Sequence, residues 1–187
     1  MKELYEKICA ETDGANKVVF VGIGEEKMTD DAVGPFIISQ LLQYNNDRFL
    51  FINGGVDPMA RIDEVVNFKP SHMILIDSCT YNASPGTVVI LKRDDIAEYV
   101  PISSHTIPVH IVVDLIIQRL SEIKTFMIGI VPESLEGFSE LHLFEERDFS
   151  SDDISEDIPF FNIQLTDTIQ KVADQLIEII KSLIREL

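Results

Sequence analysis

The sequence of 187 residues predicts a single α/β domain, spanning 1–187, with three layers and a twisted, mostly parallel sheet of about five strands between helices. Short β-branched apolar runs recur along the chain, and segments with helical apolar spacing separate most of them, so strands and helices alternate. The hydrophobic content of 45% is enough for one complete core, whereas the length is short for two domains.

The first elements are a helix, a strand and a second helix. Residues 2–11 are amphipathic and predict a short helix. Residues 18–21 read VVFV, which predicts a strand buried on both faces, and Gly22 and Gly24 mark the turn after it. The TDD segment at 29–31 leads into a helix, because the apolar residues beyond it are spaced three or four apart. These residues are Val33, Phe36, Ile37, Leu41 and Leu42.

Four further strands are predicted where apolar runs meet turn residues. They cover 49–53, 72–77, 87–91 and 126–130. The connection before 87–91 is short, which favours an antiparallel orientation for that strand.

Three more helices are predicted after these strands. Asp57 stands as an N-cap with Pro58 at the first helical position, and this helix runs to about residue 68. Pro108 starts another amphipathic helix, and residues 163–187 form a long helix that covers the sheet.

Charge and cysteine usage limit the possible partners and compartments. A formal net charge of -17 argues against nucleic acid and anionic membranes, whose phosphates would be repelled.

Two cysteines, Cys9 and Cys79, are too few for a disulfide framework or zinc knuckle. No stretch has eighteen uninterrupted apolar residues, and the acidic N-terminus is unlike a signal peptide. A soluble cytoplasmic protein with no membrane insertion is expected.

An acidic segment separates the fifth predicted strand from the last helix. Residues 140–157 carry eight acidic side chains and one arginine, within an insertion at about 139–161. This composition is typical of a solvated loop. A second interpretation is that the segment guides a basic substrate tail.

The glycine-rich turn after the first strand is not a dinucleotide motif. The pattern G-x-G-x-x-G would require glycine at position 27, which is Lys27. The acidic residues of this loop would also repel a pyrophosphate. No nucleotide cofactor is expected, whereas a divalent cation or a cationic substrate suits the loop better.

Three separated residues could form a metal site. Asp31 follows the first strand, Asp77 ends the third, and His105 precedes a helix. Two carboxylates and an imidazole, with open positions for water or substrate, suit a first-row divalent metal. Each residue also has a simpler interpretation: Asp30 or Asp31 as a helix cap, Asp77 as part of a turn with Ser78, and His105 as a hydrogen-bonded loop residue.

Four ordered motifs resemble those of the [NiFe]-hydrogenase maturation endopeptidases. They are GIGEEKMTDDAVGP, IDSCT, PGTVVIL and SSHTIPVHIVVDLI. The resemblance covers about residues 17–132 and the final helix, and it is closest to the type that processes hydrogenase-3-like large subunits.

The resemblance implies an enzyme that removes a C-terminal extension from the large-subunit precursor once nickel has been inserted. The family's metal-contacting and catalytic positions fall on Asp31, Asp77 and His105, which would recognise nickel carried by the substrate. No serine or cysteine nucleophile is required. In agreement, the chain has no G-x-S-x-G motif, and neither cysteine has an evident base nearby.

One residue differs from the family pattern, and two alternative functions stay open. Glu25 stands where the family commonly has asparagine, which adds negative charge beside the site. The chain could instead bind a hydrogenase subunit without cutting it, or hold a permanent metal and hydrolyse another substrate. The sequence leaves open the particular precursor, the bond that is cut and the oligomeric state, with a monomer as the working expectation.

Overall fold

The computed structural model describes residues 2–100, 107–136 and 164–187. Its centre is a five-stranded sheet in the order β2-β1-β3-β5-β4. The strands are β1 (Val18–Ile23), β2 (Phe49–Gly55), β3 (His72–Ser78), β4 (Val88–Leu91) and β5 (Lys124–Ile130). All neighbours are parallel except β4, which runs antiparallel to β5. The predicted strands and the antiparallel orientation of the fourth are confirmed.

Six α-helices cover the two faces of the sheet within the described residues. They are α1 (Lys2–Glu11), α2 (Val33–Leu41), α3 (Ile62–Phe68), α4 (Arg93–Tyr99), α5 (Val109–Arg119) and α6 (Asp167–Glu186). Helices α1, α2 and α6 contribute to one apolar cluster, and α3, α4 and α5 contribute to the other. The predicted three-layer α/β architecture is therefore confirmed. No helix in the described ranges is long and apolar enough to cross a membrane.

The start of α2 packs directly on the backbone of the sheet. A β-carbon on Gly34 would lie 2.4 Å from the carbonyl oxygens of both Ile23 and Ile76, and one on Gly22 would lie 2.4 Å from the carbonyl oxygen of Gly34. Only glycine at these two positions permits this approach, which brings the start of α2 against the ends of β1 and β3.

Some helix boundaries differ from the sequence expectations. A 3₁₀ turn over Pro58–Arg61 precedes α3, and Asp57 occupies its N-cap position with Pro58 in the first turn, as predicted. The Asp57 side chain makes no capping hydrogen bond there. The last helix starts at Asp167 and is capped by Thr166, whose hydroxyl accepts from the amide of Ile169 at 3.4 Å.

Helix α4 was absent from the sequence prediction. It is only seven residues long and buries a single side chain, Ile96, so it has little apolar periodicity to detect. A local bond supports its start, since the Lys92 amide donates to Asp95 at 3.0 Å. The acidic segment 140–157 lies outside the described residues, so its interpretation stays a prediction.

Candidate active site

The loop after β1 wraps around Asp31. Gly24 has φ of +135°, and a β-carbon there would lie 1.8 Å from the carbonyl oxygen of Asp31. The Gly24 amide donates to the carbonyl of Gly55 at 3.1 Å, which ties the loop to the end of β2. This tight turn therefore requires glycine for both its backbone angle and its space.

Asp31 lies in a 3₁₀ turn, Thr29–Ala32, immediately before α2, and it is only 4% exposed. The Glu25 amide donates to one carboxylate oxygen at 2.7 Å, and the Ser78 hydroxyl donates to the other at 2.7 Å. Both oxygens are thus oriented by fixed donors. The turn has no side-chain cap, so the capping interpretation of Asp31 was wrong.

Asp77 is the penultimate residue of β3 and is completely buried. The amide of Ser78 donates to its carboxylate at 2.7 Å, so the predicted local contact with Ser78 exists. Ser78 also bonds to Asp31 through its hydroxyl, and this one residue connects the two predicted carboxylates. The structure therefore brings Asp31 and Asp77 to the same corner of the sheet.

The third predicted residue, His105, lies outside the described residues. Across 2–100, 107–136 and 164–187, no group of three histidine, cysteine or acidic side chains is arranged to hold a metal ion. The convergence of Asp31, Asp77 and His105 on one ion therefore stays a prediction.

Asp30, next to Asp31, has a different environment. It is completely buried, and its carboxylate accepts from the amides of Glu133, Ser134 and Thr166 at 2.8–2.9 Å and from the Thr166 hydroxyl at 3.0 Å. It also donates its own amide to Ser134 at 3.2 Å. Asp30 thus joins the turn after β5 to the start of α6, a structural role that its position in the sequence did not reveal.

Cys79, which follows Ser78, is unsuited to act as a nucleophile. Its side chain is 1% exposed, and burial raises the pKa of its thiol to about 11, with the Asp77 carboxylate contributing in the same direction. The thiol is therefore protonated near neutral pH. This environment supports the expectation that Cys79 does not attack the substrate.

A cleft of about 360 Å³ lies beside the loop that holds Asp31. It is lined by residues 24–27, residues 53–56 and Arg61. Asn53 donates to the carboxylate of Glu26 at 2.7 Å, which fixes one wall of the cleft. The cleft adjoins the carboxyl ends of β1 and β2, the edge at which α/β proteins place their ligands.

Comparison with known proteins identifies the family. The sequence model of the family described as hydrogenase maturation protease matches residues 35–147, more than half of the chain. The chain belongs to the hydrogenase maturation protease family. A Methanocaldococcus jannaschii protein that carries a hydrogenase maturation protease name is 27% identical over 179 residues, covering 91% of this chain and 96% of the relative.

Two further comparisons cover the same family. The hydrogenase 3 maturation protease of Escherichia coli is 25% identical over 115 residues, which cover 62% of this chain and 72% of that protein. The crystal structure of a [NiFe] hydrogenase maturation protease from Thermococcus kodakarensis superposes with a TM-score of 0.74 at 20% identity, covering 96% of this chain and 99% of that one. The structural match confirms the fold.

Three of the four motifs, IDSCT, PGTVVIL and SSHTIPVHIVVDLI, lie within the matched residues 35–147. Peptidase activity follows at the level of the family. Sequence reasoning singled out Asp31 and Asp77 but missed Ser78 as the link between them. The available signal was its position directly after Asp77 at the end of an apolar strand.

Proposed function

We propose that this protein is an endopeptidase that removes the C-terminal extension from the nickel-loaded precursor of a [NiFe]-hydrogenase large subunit. The observation that supports the proposal is the pair of buried carboxylates, Asp31 and Asp77, which Ser78 links at the carboxyl edge of the sheet. Family membership indicates the reaction class, and the two neighbouring carboxylates are suited to bind a cation.

Asp31, Asp77 and His105 recognise the nickel ion in this proposal. Carboxylate oxygens and a neutral imidazole are suitable ligands for a first-row divalent ion, and open positions leave room for groups of the substrate. Nickel belongs to the precursor and not to the protease. Cleavage is thereby restricted to precursors that already carry the metal.

The reaction is a hydrolysis without a covalent protein intermediate. The oxygen of water bonds to the scissile carbonyl carbon, the C–N bond breaks, and the departing nitrogen takes a proton. The protonated, buried thiol of Cys79 agrees with this route. Two ways of activating the reactants fit the carboxylate pair: polarisation of the carbonyl by the substrate's nickel, and removal of a proton from water by a carboxylate.

Mass spectrometry of a large-subunit precursor tests the role of nickel. The precursor is prepared in nickel-loaded and nickel-free forms, and each is incubated with the purified protein. We expect loss of a C-terminal fragment from the loaded form alone. Equal cleavage of both forms would contradict nickel recognition, and an unchanged mass for both would contradict the endopeptidase proposal.

Metal analysis of the purified protein tests where the nickel resides. A substrate-borne ion predicts well under one equivalent of any transition metal in the protease alone. One tightly bound equivalent that survives dialysis against a chelator would instead indicate a resident metal and a different hydrolase.

A further inference from the structure

The two edges of the sheet differ in how their backbone groups are satisfied. At the β2 edge, side chains occupy the outward amides: Phe49 donates to the Asn46 side chain at 3.0 Å, and Phe51 donates to the Asn45 side chain at 2.7 Å. The Gly55 amide donates to the Asn53 side chain at 3.0 Å. These bonds prevent another strand from joining the sheet there.

The β4 edge has no comparable cover in the part of the chain that the structure describes. The Ile130 carbonyl accepts from the Cys79 amide at 2.9 Å, so the backbone groups of Ile130 face β3. Val88 lies opposite Ile130, whereas Val89 lies opposite Gly129. Because backbone groups alternate along a strand, Val89 bonds to β5, and Val88 and Ile90 direct their amide and carbonyl groups away from the sheet.

A groove of about 760 Å³ lies along this open edge. Its lining includes β4, the exposed face of α1 around Ala10, and the rings of Tyr81 and Tyr99, whose centroids are 4.9 Å apart. Residues 88–90 are each partly exposed. The groove thus offers backbone hydrogen-bonding groups together with aromatic and apolar side chains, the combination that binds an extended peptide.

The charges of the groove favour one kind of occupant. Its two lysines are already paired within the described residues, Lys7 with Glu3 at 2.8 Å and Lys92 with Glu11. The carboxylate of Asp95 also lines the groove, and the whole chain carries a net charge of -17. An acidic partner, including a second copy of this chain, would therefore be repelled.

We propose that this groove receives an extended, neutral or basic segment of the protein substrate, which pairs with β4 as a sixth strand. The inference rests on the function proposed above and adds a docking site to it. Main-chain bonds to Val88 and Ile90 supply binding that depends little on side-chain identity. Such docking suits a protease that must hold the flexible chain terminus of its substrate while the proposed nickel-recognition site contacts the folded part of the same substrate.

The register places this groove within reach of the candidate site. Asp77 lies opposite Gly129, and Gly129 lies opposite Val89. Two strand spacings of about 4.8 Å put the backbone of Val89 roughly 10 Å from that of Asp77. A strand added outside β4 lies one spacing farther, so about four or five extended residues would connect it with the corner of Asp31 and Asp77.

Residue-resolved hydrogen exchange tests the docking directly. The probes are a large-subunit precursor that the wild-type protein cleaves and the same protein truncated at its mature C-terminus, each mixed with Asp31→Asn protein to prevent turnover. We expect the Val88 and Ile90 amides to become protected by the full precursor alone. Equal protection by both probes, or by neither, would overturn the proposal. Protection without precursor that grows with protein concentration would also overturn it, in favour of a second copy.

A pair of helix α1 variants provides the kinetic test. Ala10→Trp would fill the groove from its exposed wall, whereas Glu6→Trp places the same ring on α1 outside the groove lining. We expect Ala10→Trp to raise KM about tenfold with kcat retained, and Glu6→Trp to change neither. Cleavage of the precursor with equal KM in both variants would overturn the docking site while leaving the endopeptidase function intact. Absence of cleavage by the wild type would instead refute the function.

Discussion

Asp30 and Asp31 are adjacent in the sequence, but their carboxylates have different hydrogen-bond partners. Asp30 accepts four hydrogen bonds from backbone and side-chain donors that lie more than one hundred residues away in the sequence. Asp31 accepts two, from Glu25 and Ser78. The carboxylate of Asp30 therefore stabilises the fold, whereas that of Asp31 is the one proposed to take part in nickel recognition.

The Asp30→Asn substitution is expected to destabilise the protein. An amide nitrogen would replace one acceptor oxygen among four donors in a buried site, at a cost of about 2–3 kcal/mol. Asp31→Asn is expected to cost about 1 kcal/mol or less, because an amide can donate to the Ser78 oxygen and still accept from Glu25. Urea unfolding of both variants measures the difference. Equal losses of stability would contradict the distinct roles.

The buried thiol of Cys79 is expected to be dispensable for cleavage. With a pKa of about 11, only about one thiol in a thousand is ionised near pH 8. Cys79→Ala should therefore retain cleavage of the precursor within about tenfold of wild type. Loss of all measurable cleavage in a folded Cys79→Ala protein would indicate a thiol mechanism.

At the scale of the elements, the contact between α2 and the sheet determines where Asp31 lies. Gly34→Ala would place a β-carbon 2.4 Å from two strand carbonyls, and the helix would have to shift. We expect a loss of about 1–3 kcal/mol in unfolding free energy, together with weaker cleavage. Gly14→Ala is the matched control, since its β-carbon would meet no atom within 4 Å and only its φ of +76° opposes the change. A smaller loss in Gly34→Ala than in the control would contradict this account.

An ion pair joins α4 to α5. The Arg93 Nε donates to Asp114 at 2.7 Å, and a terminal guanidinium nitrogen donates to the second oxygen. These hydrogen bonds lower the pKa of the Asp114 carboxyl. Because the pKa is lower in the folded state, the stabilisation is present above the unfolded pKa of about 4 and is lost as the pH falls through the folded value.

Thermal unfolding across pH tests this ion pair. Asp114→Asn is expected to lower the midpoint at about pH 6 and to have a smaller effect at about pH 2. Both side chains are about two-fifths exposed, so added salt should also reduce the difference. A difference that is the same at both pH values would show that the pair contributes nothing through its charge.

At the scale of the whole molecule, local patterns predicted most of the fold. The buried strands have continuous β-branched runs, such as VVFV at 18–21, and these appear in the sequence without any tertiary information. Helix α4 was missed because it buries only Ile96. Its formation depends on packing against α5 and β5 more than on its own periodicity.

The site was harder to predict from the sequence than the fold was. Strand ends identified Asp31 and Asp77 as candidates, since chemistry collects at the carboxyl edge of a parallel sheet. The different environments of Asp30 and Asp31 could not be predicted, because they depend on partners such as Ser134 and Thr166 that only the folded chain brings near. The positions of His105 and of the acidic segment 140–157 stay predictions.

The most direct test of the central claim is the intact mass of a nickel-loaded large-subunit precursor after incubation with wild-type or Asp31→Asn protein. Cleavage at one bond by the wild type, and none by an Asp31→Asn protein that unfolds at a similar urea concentration, is the predicted result. Equal cleavage by the two proteins would contradict the role of Asp31. An intact precursor in both reactions would contradict the assignment as a processing endopeptidase.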